Sequence, residues 1–374
     1  MKLVVQSIRF AVVLALVGLV SGCSSRPVPV SKTGAERVEE ARRLREGLPF
    51  VDDVLKPAAK PVVEEEIASP EVSDDPLLLG EFYLVENGVV DGDTVKVEGL
   101  DASLRLLGID TEETFKKDAD KEASDANFAE YLVAKRGDEK FPAKFATPAG
   151  ELAKDFAKEF FAGHKVVRLE YDDLGRTRGV YNRYLVYVFV KMGGKWVNYN
   201  VECVRAGMSP YFPKYGYSRR YHDDFVQAQD EARAAQLGVW NPSVEHYPDY
   251  DERLEWWDRR AQAIQHYEET YKDKEDYFQL GLDSEWQRMA PMVGKQVTIF
   301  GNIGEIKKEK SPYLVQMSHV RGTSFSLVAF ELADFEALDI DRYDGEYFYV
   351  RGKLSSYKDT YQFKAADIEA MWME

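Results

Sequence analysis

Strand-like apolar stretches run through Phe82 to Val85, Val89-Val90, Thr94 to Val97 and Leu104 to Ile109, and hydrophobic and polar positions alternate with a period of two in Thr94 to Val97. Such alternation marks strands with one buried face. Gly80, Gly88 and Gly99 punctuate them, so the stretch predicts a three-stranded antiparallel start. The period then changes. From Pro148 to Ala162, Leu152, Phe156 and Phe160 recur every four residues with Ala149 and Ala153 beside them, which predicts a helix opened by its proline and closed by Gly163. Lys165 to Tyr171 and Arg183 to Val190 return to strand character. Trp196 to Gly207 reads as a second helix, and His222 to Leu237 as a third, with Phe225, Ala228, Ala232 and Ala235 on one face. Five strands with helices packed across them predict an α+β domain.

A polar, aromatic stretch from Pro242 to Leu282 predicts a connecting helix, with Leu254, Trp257, Ala261, Ile264 and Tyr267 tracking one face. Beyond Met292 the period of two comes back in Gln296 to Ile303, Tyr313 to Met317 and Phe325 to Phe330. A short helical piece, Glu331 to Leu338, precedes Glu346 to Leu354 and Thr360 to Lys364. Three strands, a helix and two strands is the order of an oligonucleotide/oligosaccharide-binding barrel, and the segment resembles such OB-type domains by pattern, without a diagnostic motif. Tyr347, Tyr349, Tyr357 and Tyr361 are its candidates for stacking on bases. In the alternative reading those rings fill the barrel or pack on the connecting helix.

The chain begins differently. Met1 to Cys23 joins a basic start, Lys2 and Arg9, to the apolar core AVVLALVGLV, shorter than the about 20 apolar residues of a membrane-spanning helix, and so predicts a signal peptide. Its ending, Leu19-Val20-Ser21-Gly22-Cys23, resembles a bacterial lipobox. That resemblance implies lipidation at Cys23 and a folded part held outside the cytoplasm on the cell envelope, facing the periplasm or the cell surface; an uncleaved anchor is the other reading. Ser24 to Pro76 mixes prolines, small residues and the acidic run Glu64-Glu65-Glu66, a composition suited to a tether, with a short amphipathic helix over Ala35 to Arg45. Cys203 is then the one cysteine left, which predicts a small core residue and no intramolecular disulfide. The five histidines show no HExxH or Cys/His spacing, so a zinc site is unsupported. A net charge of −16 is unfavourable for steering toward polyanions, yet overall sign does not decide local chemistry.

The candidate chemistry lies between Val89 and Glu113, VVDGDTVKVEGLDASLRLLGIDTEE. Asp91-Gly92 flanked by β-branched residues is a hairpin signal, so Asp91 and Asp93 are turn residues on one reading and a site on the other. The following strand, Leu104 to Ile109, ends in Asp110-Thr111-Glu112-Glu113, which brings further carboxylates to a strand end. In combination these residues resemble the staphylococcal nuclease (thermonuclease) family, whose hallmark is a VDGDT hairpin followed by R-L-x-x-x-D-T-P-E. The resemblance implies an OB-type five-stranded barrel of the staphylococcal nuclease kind, and hence a fold that is mainly β with helices (α+β), the second OB-like β-barrel following.

It further implies a calcium-dependent nuclease acting on DNA and RNA. Asp93, Asp110 and the carbonyl of Thr111 would be metal ligands, Glu113 would orient or deprotonate water, and Arg105 would grip the phosphate. The family's second arginine heads the fifth strand in a G-R-x-L-A-Y-V context. Arg183 fits that context with Asn182 in the glycine's place, and Arg176, in Gly175-Arg176, fits it less well. Tyr211 and Tyr215 stand where the family places tyrosines against the nucleotide. By the same resemblance, cleavage would release the 5′ oxygen and leave 3′-phosphates. Two departures stand out. Glu112 replaces the family's proline, and Thr114 to Thr147 is longer than the family's loop, so that it is either a solvated decoration or a rim of the substrate site.

The expected organisation is a signal peptide over 1–23, a tether over 24–79, a nuclease-like domain over 80–243, a helical connector over 244–283 and an OB-like domain over 284–374. The competing functional reading is a catalytically weak oligonucleotide-binding or scaffold lipoprotein.

Overall fold

The computed structural model describes residues 75–317, 324–358 and 360–374. The expected signal peptide, Cys23 and nearly all of the tether lie outside the described residues. Within them, no helix is long and apolar enough to cross a membrane.

The first barrel is built from β1 (Leu78–Asp91), β2 (Thr94–Val97), β3 (Leu104–Leu106), β4 (Val166–Glu170) and β5 (Tyr184–Met192). Its strand order is β3-β2-β1-β4-β5, and a parallel pairing of β3 with β5, Leu104 opposite Tyr184 and Leu106 opposite Val186, closes the ring. Closure places the ends of β2, β3 and β5 side by side, which is what gathers the candidate residues. The two apolar stretches before Asp91 lie in one long strand, β1, as the three-stranded start requires. Its register slips between Leu84 and Val89 and again before Asp91, so Gly88 sits in a bulged stretch and ends nothing.

Between β3 and β4 the chain forms α1 (Asp118–Ala126), α2 (Phe128–Arg136) and α3 (Pro148–Phe161). In α3, Pro148 takes the first turn and Thr147 caps the helix by accepting from the Gly150 N–H. Ala153, Phe156, Ala157 and Phe160 face the barrel core. After β5 come β6 (Lys195–Asn198), α4 (Tyr199–Arg205) and α5 (His222–Ala234). The helix expected from Trp196 therefore starts later. Asn198 accepts from the N–H groups of Asn200 and Val201, capping α4, and the residues before it pair with β5 as a strand. Cys203 is buried in the barrel core, where burial pushes its thiol well up.

The connector is a single 21-residue helix, α6 (Tyr250–Thr270). Its buried side carries Arg253, Trp256, Trp257, Arg260, Ala261, Ile264 and Tyr267, while Leu254 is only half-buried. The two arginines find partners where they are buried, carbonyls for both and the Asp249 carboxylate at 2.6 Å for Arg253. Arg253 donates to Ala143 O at 2.5 Å, and Arg260 donates to Lys214 O at 3.3 Å and to Gly345 O. Ala143 belongs to the segment after α2, Lys214 to the first domain and Gly345 to the second, so α6 ties three parts of the chain together.

The second unit contains β7 (Tyr277–Gln279), α7 (Asp283–Met289), β8 (Gln296–Lys307), β9 (Tyr313–Met317), β10 (Phe325–Ala329), α8 (Leu332–Glu336), β11 (Tyr347–Lys353), β12 (Ser355–Tyr357), β13 (Thr360–Lys364) and β14 (Ile368–Trp372). These make a curled sheet in the order β12-β13-β10-β9-β8-β11-β14, with β7 beside β8. The five expected strands are present, and β7, β12 and β14 add to them. Tyr349 is 2 % exposed, packed among Tyr267, Phe300 and Trp372, and Tyr361 stacks on Trp286. Tyr347 lies against Phe300 beneath the Arg260 guanidinium. Tyr357 alone of the four tyrosines keeps a largely exposed ring.

Candidate active site

The tip between β1 and β2 falls one residue later than the Asp-Gly pair suggests. Asp91 pairs with Thr94, leaving Gly92 and Asp93 as the two turn residues. Gly92 does not have positive φ. Its lack of a side chain matters for packing: a Cβ there would lie 2.6 Å from Thr111 Cγ2 and 2.9 Å from Ala153 Cβ. Only glycine allows the tip to press against the Asp110-Thr111 turn and α3. Tyr199 fixes the tip from below by donating its hydroxyl to Gly92 O at 2.7 Å.

Pressed together in this way, Asp93 and Asp110 are 8 % and 6 % exposed. Asp93 Oδ2 accepts from the Thr111 N–H at 3.2 Å, and its Oδ1 accepts from Thr94 Oγ1 at 3.0 Å. Arg105 stands between the carboxylates. Its Nη2 donates to Asp110 Oδ1 at 2.5 Å, and its Nη1 lies 2.5 Å from Asp93 Oδ2 as an ion contact off the line of a directed hydrogen bond. Burial pushes the Asp110 carboxyl up, but the Lys144 ammonium and the Arg105 guanidinium outweigh it and hold the group below its ordinary value. Asp91 shows the opposite balance. Burial, reinforced by the charge of Asp93, raises its pKa to about 6.

Glu113 follows on the same turn. Its Oε2 receives Lys116 Nζ at 3.1 Å, and its carbonyl accepts from the Thr147 N–H. A side chain on Gly150 would place a Cβ 2.1 Å from that carbonyl oxygen, so α3 begins in direct contact with the turn. Arg183, just ahead of β5, donates from Nη1 to Thr94 Oγ1 at 3.4 Å, which joins it through Thr94 to Asp93. Asn182 before it adopts φ of +62°, the left-handed backbone that asparagine tolerates better than other non-glycine residues. Arg176 points elsewhere. It donates to Tyr215 O at 2.9 Å and covers the Tyr215 ring.

The tyrosines separate. Tyr215 is 47 % exposed, so it keeps a free surface. The expectation for Tyr211 is corrected: it is 4 % exposed, its ring is stacked 4.8 Å from Phe225, and its hydroxyl accepts from the Ser218 N–H. Burial between the barrel and α5 leaves it no face for a nucleotide. The aromatic next to the charges is instead Phe212, with Arg105 and Lys144 5.9 and 5.7 Å from its ring centre.

Lys144 itself gives no signal in the sequence. It comes from the far end of the insertion, and its ammonium contacts Asp110 Oδ1 directly. The insertion thus forms a rim of the site. It packs Tyr131 and Phe145 into a small core with Val239, Tyr247 and Tyr250. Glu112, the residue in place of proline, is 1 % exposed and carries that packing inward. It accepts from Thr147 Oγ1, from the Tyr247 N–H at 2.8 Å and from the Tyr250 hydroxyl at 2.5 Å.

Asp93, Asp110 and the Thr111 carbonyl are hard oxygen donors, suited in kind to calcium. The mutual repulsion of Asp91 and Asp93 also favours a cation at this tip. Among the described residues, no three or more Asp, Glu, His or Cys side chains converge as a ready-made metal cluster.

Comparison with known proteins agrees with this architecture. A family model described as staphylococcal nuclease homologue matches residues 103–242, beginning just after the Asp91–Thr94 hairpin. The thermonuclease of Staphylococcus intermedius is 31% identical over 165 residues, which cover 43% of this chain and 77% of that protein. An uncharacterized protein of Methanocaldococcus jannaschii is 33% identical over 161 residues, covering 41% of this chain and 69% of the other. Endonuclease YncB of Bacillus subtilis is 30% identical over 156 residues, covering 41% of this chain and 59% of its own length.

Proposed function

Because this chain belongs to the staphylococcal nuclease family, we propose that it is a calcium-dependent nuclease that hydrolyses phosphodiester bonds of DNA and RNA and leaves 3′-phosphates. The observation that carries the reading is the meeting, at one end of a closed barrel, of Asp93, Asp110 and Arg105 in direct contact, with Glu113 further along the Asp110 turn and Arg183 tied to Asp93 through Thr94.

In-line attack of water on a phosphodiester requires a proton to leave the water and extra negative charge to be stabilised on the phosphoryl oxygens. Glu113 orients the attacking water or receives its proton in this reading, and its carboxylate, 38 % exposed, is reached by solvent. Arg105 and Arg183 stabilise the charge, because a planar guanidinium offers two parallel donors to a phosphate where lysine offers a point charge. Asp93, Asp110 and the Thr111 carbonyl would hold calcium, which supplies Lewis-acid stabilisation of a phosphoryl oxygen when bound. Thr94 keeps the Asp93 carboxylate and Arg183 in fixed relation. Tyr215, exposed beside Arg176, is the substrate-facing tyrosine of this reading.

Digestion of plasmid and single-stranded oligonucleotides with calcium, repeated with a chelator, tests the proposal. Cleavage is expected only with the cation, with 3′-phosphate ends on the products. Activity that survives chelation would reject the metal assignment.

The proposed location is the bacterial cell envelope, through a lipid on Cys23, and it rests on the lipobox-like ending of the first 23 residues. Changing Cys23→Ser is expected to move the protein from the membrane to the soluble fraction, and retention on membranes would favour an uncleaved anchor.

A further inference from the structure

Two cations converge on one oxygen at the centre of the site. Arg105 Nη2 and Lys144 Nζ both contact Asp110 Oδ1, and Arg105 has a second carboxylate, Asp93, for its other nitrogen. Like charges so close repel, and the arginine is the better satisfied of the two. Among the described residues, Asp110 is the carboxylate that pairs with Lys144.

The backbone around Lys144 is fixed on both sides. Ala143 O accepts from buried Arg253, the Phe145 N–H donates to the Tyr247 hydroxyl at 2.9 Å, and Ala146 bridges to Glu113. The Lys144 side chain is nevertheless 47 % exposed, against 15 % for Arg105. A rigidly based, solvent-accessible lysine can therefore exchange partners without moving the fold. Nearby, Lys214 lies 3.9 Å over the Trp256 ring, with a pKa lowered to about 7 by burial and then by Arg260. The surroundings are already rich in positive charge, so an ammonium displaced from Asp110 is best accommodated by an incoming anion.

We propose that Lys144 is a further substrate-contacting residue, resting on Asp110 before cation and substrate arrive and passing to a non-bridging oxygen of the substrate phosphate when a divalent cation takes Asp110. The inference rests on the reading given under Proposed function. It assigns the insertion a part in the exchange: the rim supplies an ammonium that reserves the cation's place and then helps to hold the substrate.

Calorimetric titration with calcium alone separates the two steps. Replacing Lys144→Met removes the competing ammonium, and calcium is expected to bind about two- to fivefold more tightly, the range for loss of one partly exposed ion pair. In a Glu113→Gln background, which keeps the substrate intact, a labelled single-stranded oligonucleotide in saturating calcium is expected to bind more weakly by a similar factor. Lys144→Arg should recover the oligonucleotide affinity, and Lys144→Gln repeats the test if methionine disturbs folding. If the native protein binds both ligands and Lys144→Met matches it in either titration, the role of Lys144 is overturned and the nuclease reading stands. A native protein that binds neither calcium nor oligonucleotide overturns both.

Discussion

Glu113→Gln and Arg183→Ala are each expected to lower the turnover of the folded protein by at least about a hundredfold, the usual consequence of losing a general base or a transition-state charge stabiliser. The two residues reach the site by different routes. Glu113 sits on the turn that follows Asp110, held between the Thr147 N–H at its carbonyl and Lys116 at its carboxylate. Arg183 arrives from the strand that closes the barrel against β3 and connects to Asp93 through Thr94. Neither side chain fills the core, so the loss should appear in kcat with melting temperature nearly unchanged. Arg176→Ala is the control. Its guanidinium is committed to Tyr215 and is not among the ion pairs of Asp93 or Asp110, and a modest effect is expected. A large loss for Arg176→Ala with a small one for Arg183→Ala would reverse the assignment of the second arginine.

Replacing Glu112 with the family's proline is expected to destabilise this protein. The Glu112 carboxylate receives Thr147 Oγ1, the Tyr247 N–H and the Tyr250 hydroxyl, all in a buried setting. Proline accepts none of them, and each buried polar group left unpaired costs about 1–3 kcal/mol. Removing a buried carboxyl offsets part of that loss, because burial already holds the Glu112 pKa up to about 7. A net loss of roughly 3 kcal/mol remains from these opposing contributions, visible as a drop of several degrees in a thermal melt. Activity should fall as well, because Tyr250 opens α6 and Thr147 caps α3, and both grip the turn that carries Glu113. An unchanged or higher melting temperature for Glu112→Pro would show that the three donors find other partners. The arrangement also accounts for much of the chain beyond the nuclease barrel. The connector helix buttresses the turn that carries Glu113 at its start, and Trp256 donates to Gly345 O of the second unit at 2.9 Å further along.

The five barrel strands, the helices packed across them, the helical connector and five strands of the second unit are legible in the sequence because each follows from local periodicity, whereas β6, β7, β12, β14 and the two helices of the insertion, α1 and α2, are not. A two-residue period exposes one strand face, and a four-residue recurrence makes one helical stripe. The Asp-Gly-Asp-Thr hairpin and the Arg105 to Glu113 segment are legible for a similar reason, since neighbouring strand ends carry their side chains at fixed short spacings. What spacing cannot supply is the identity of distant partners. Lys144 meets Asp110 across 34 residues, and Tyr250 meets Glu112 across 138. The start of α4 escapes periodicity because Asn198 is a cap, a role that depends on the backbone N–H groups following it and leaves no mark in the hydrophobic pattern. Tyr211 reads as a surface ring because tyrosine serves equally as core and as contact, and only the packing of Phe225 against it decides for the core. The sequence alone thus determined the barrel, its acidic hairpin and its family, which short-range patterns specify. The closed ring of strands and the docking of α6 decided which charges share the site, because contacts between segments far apart in the chain exist only once the cores that hold them have formed.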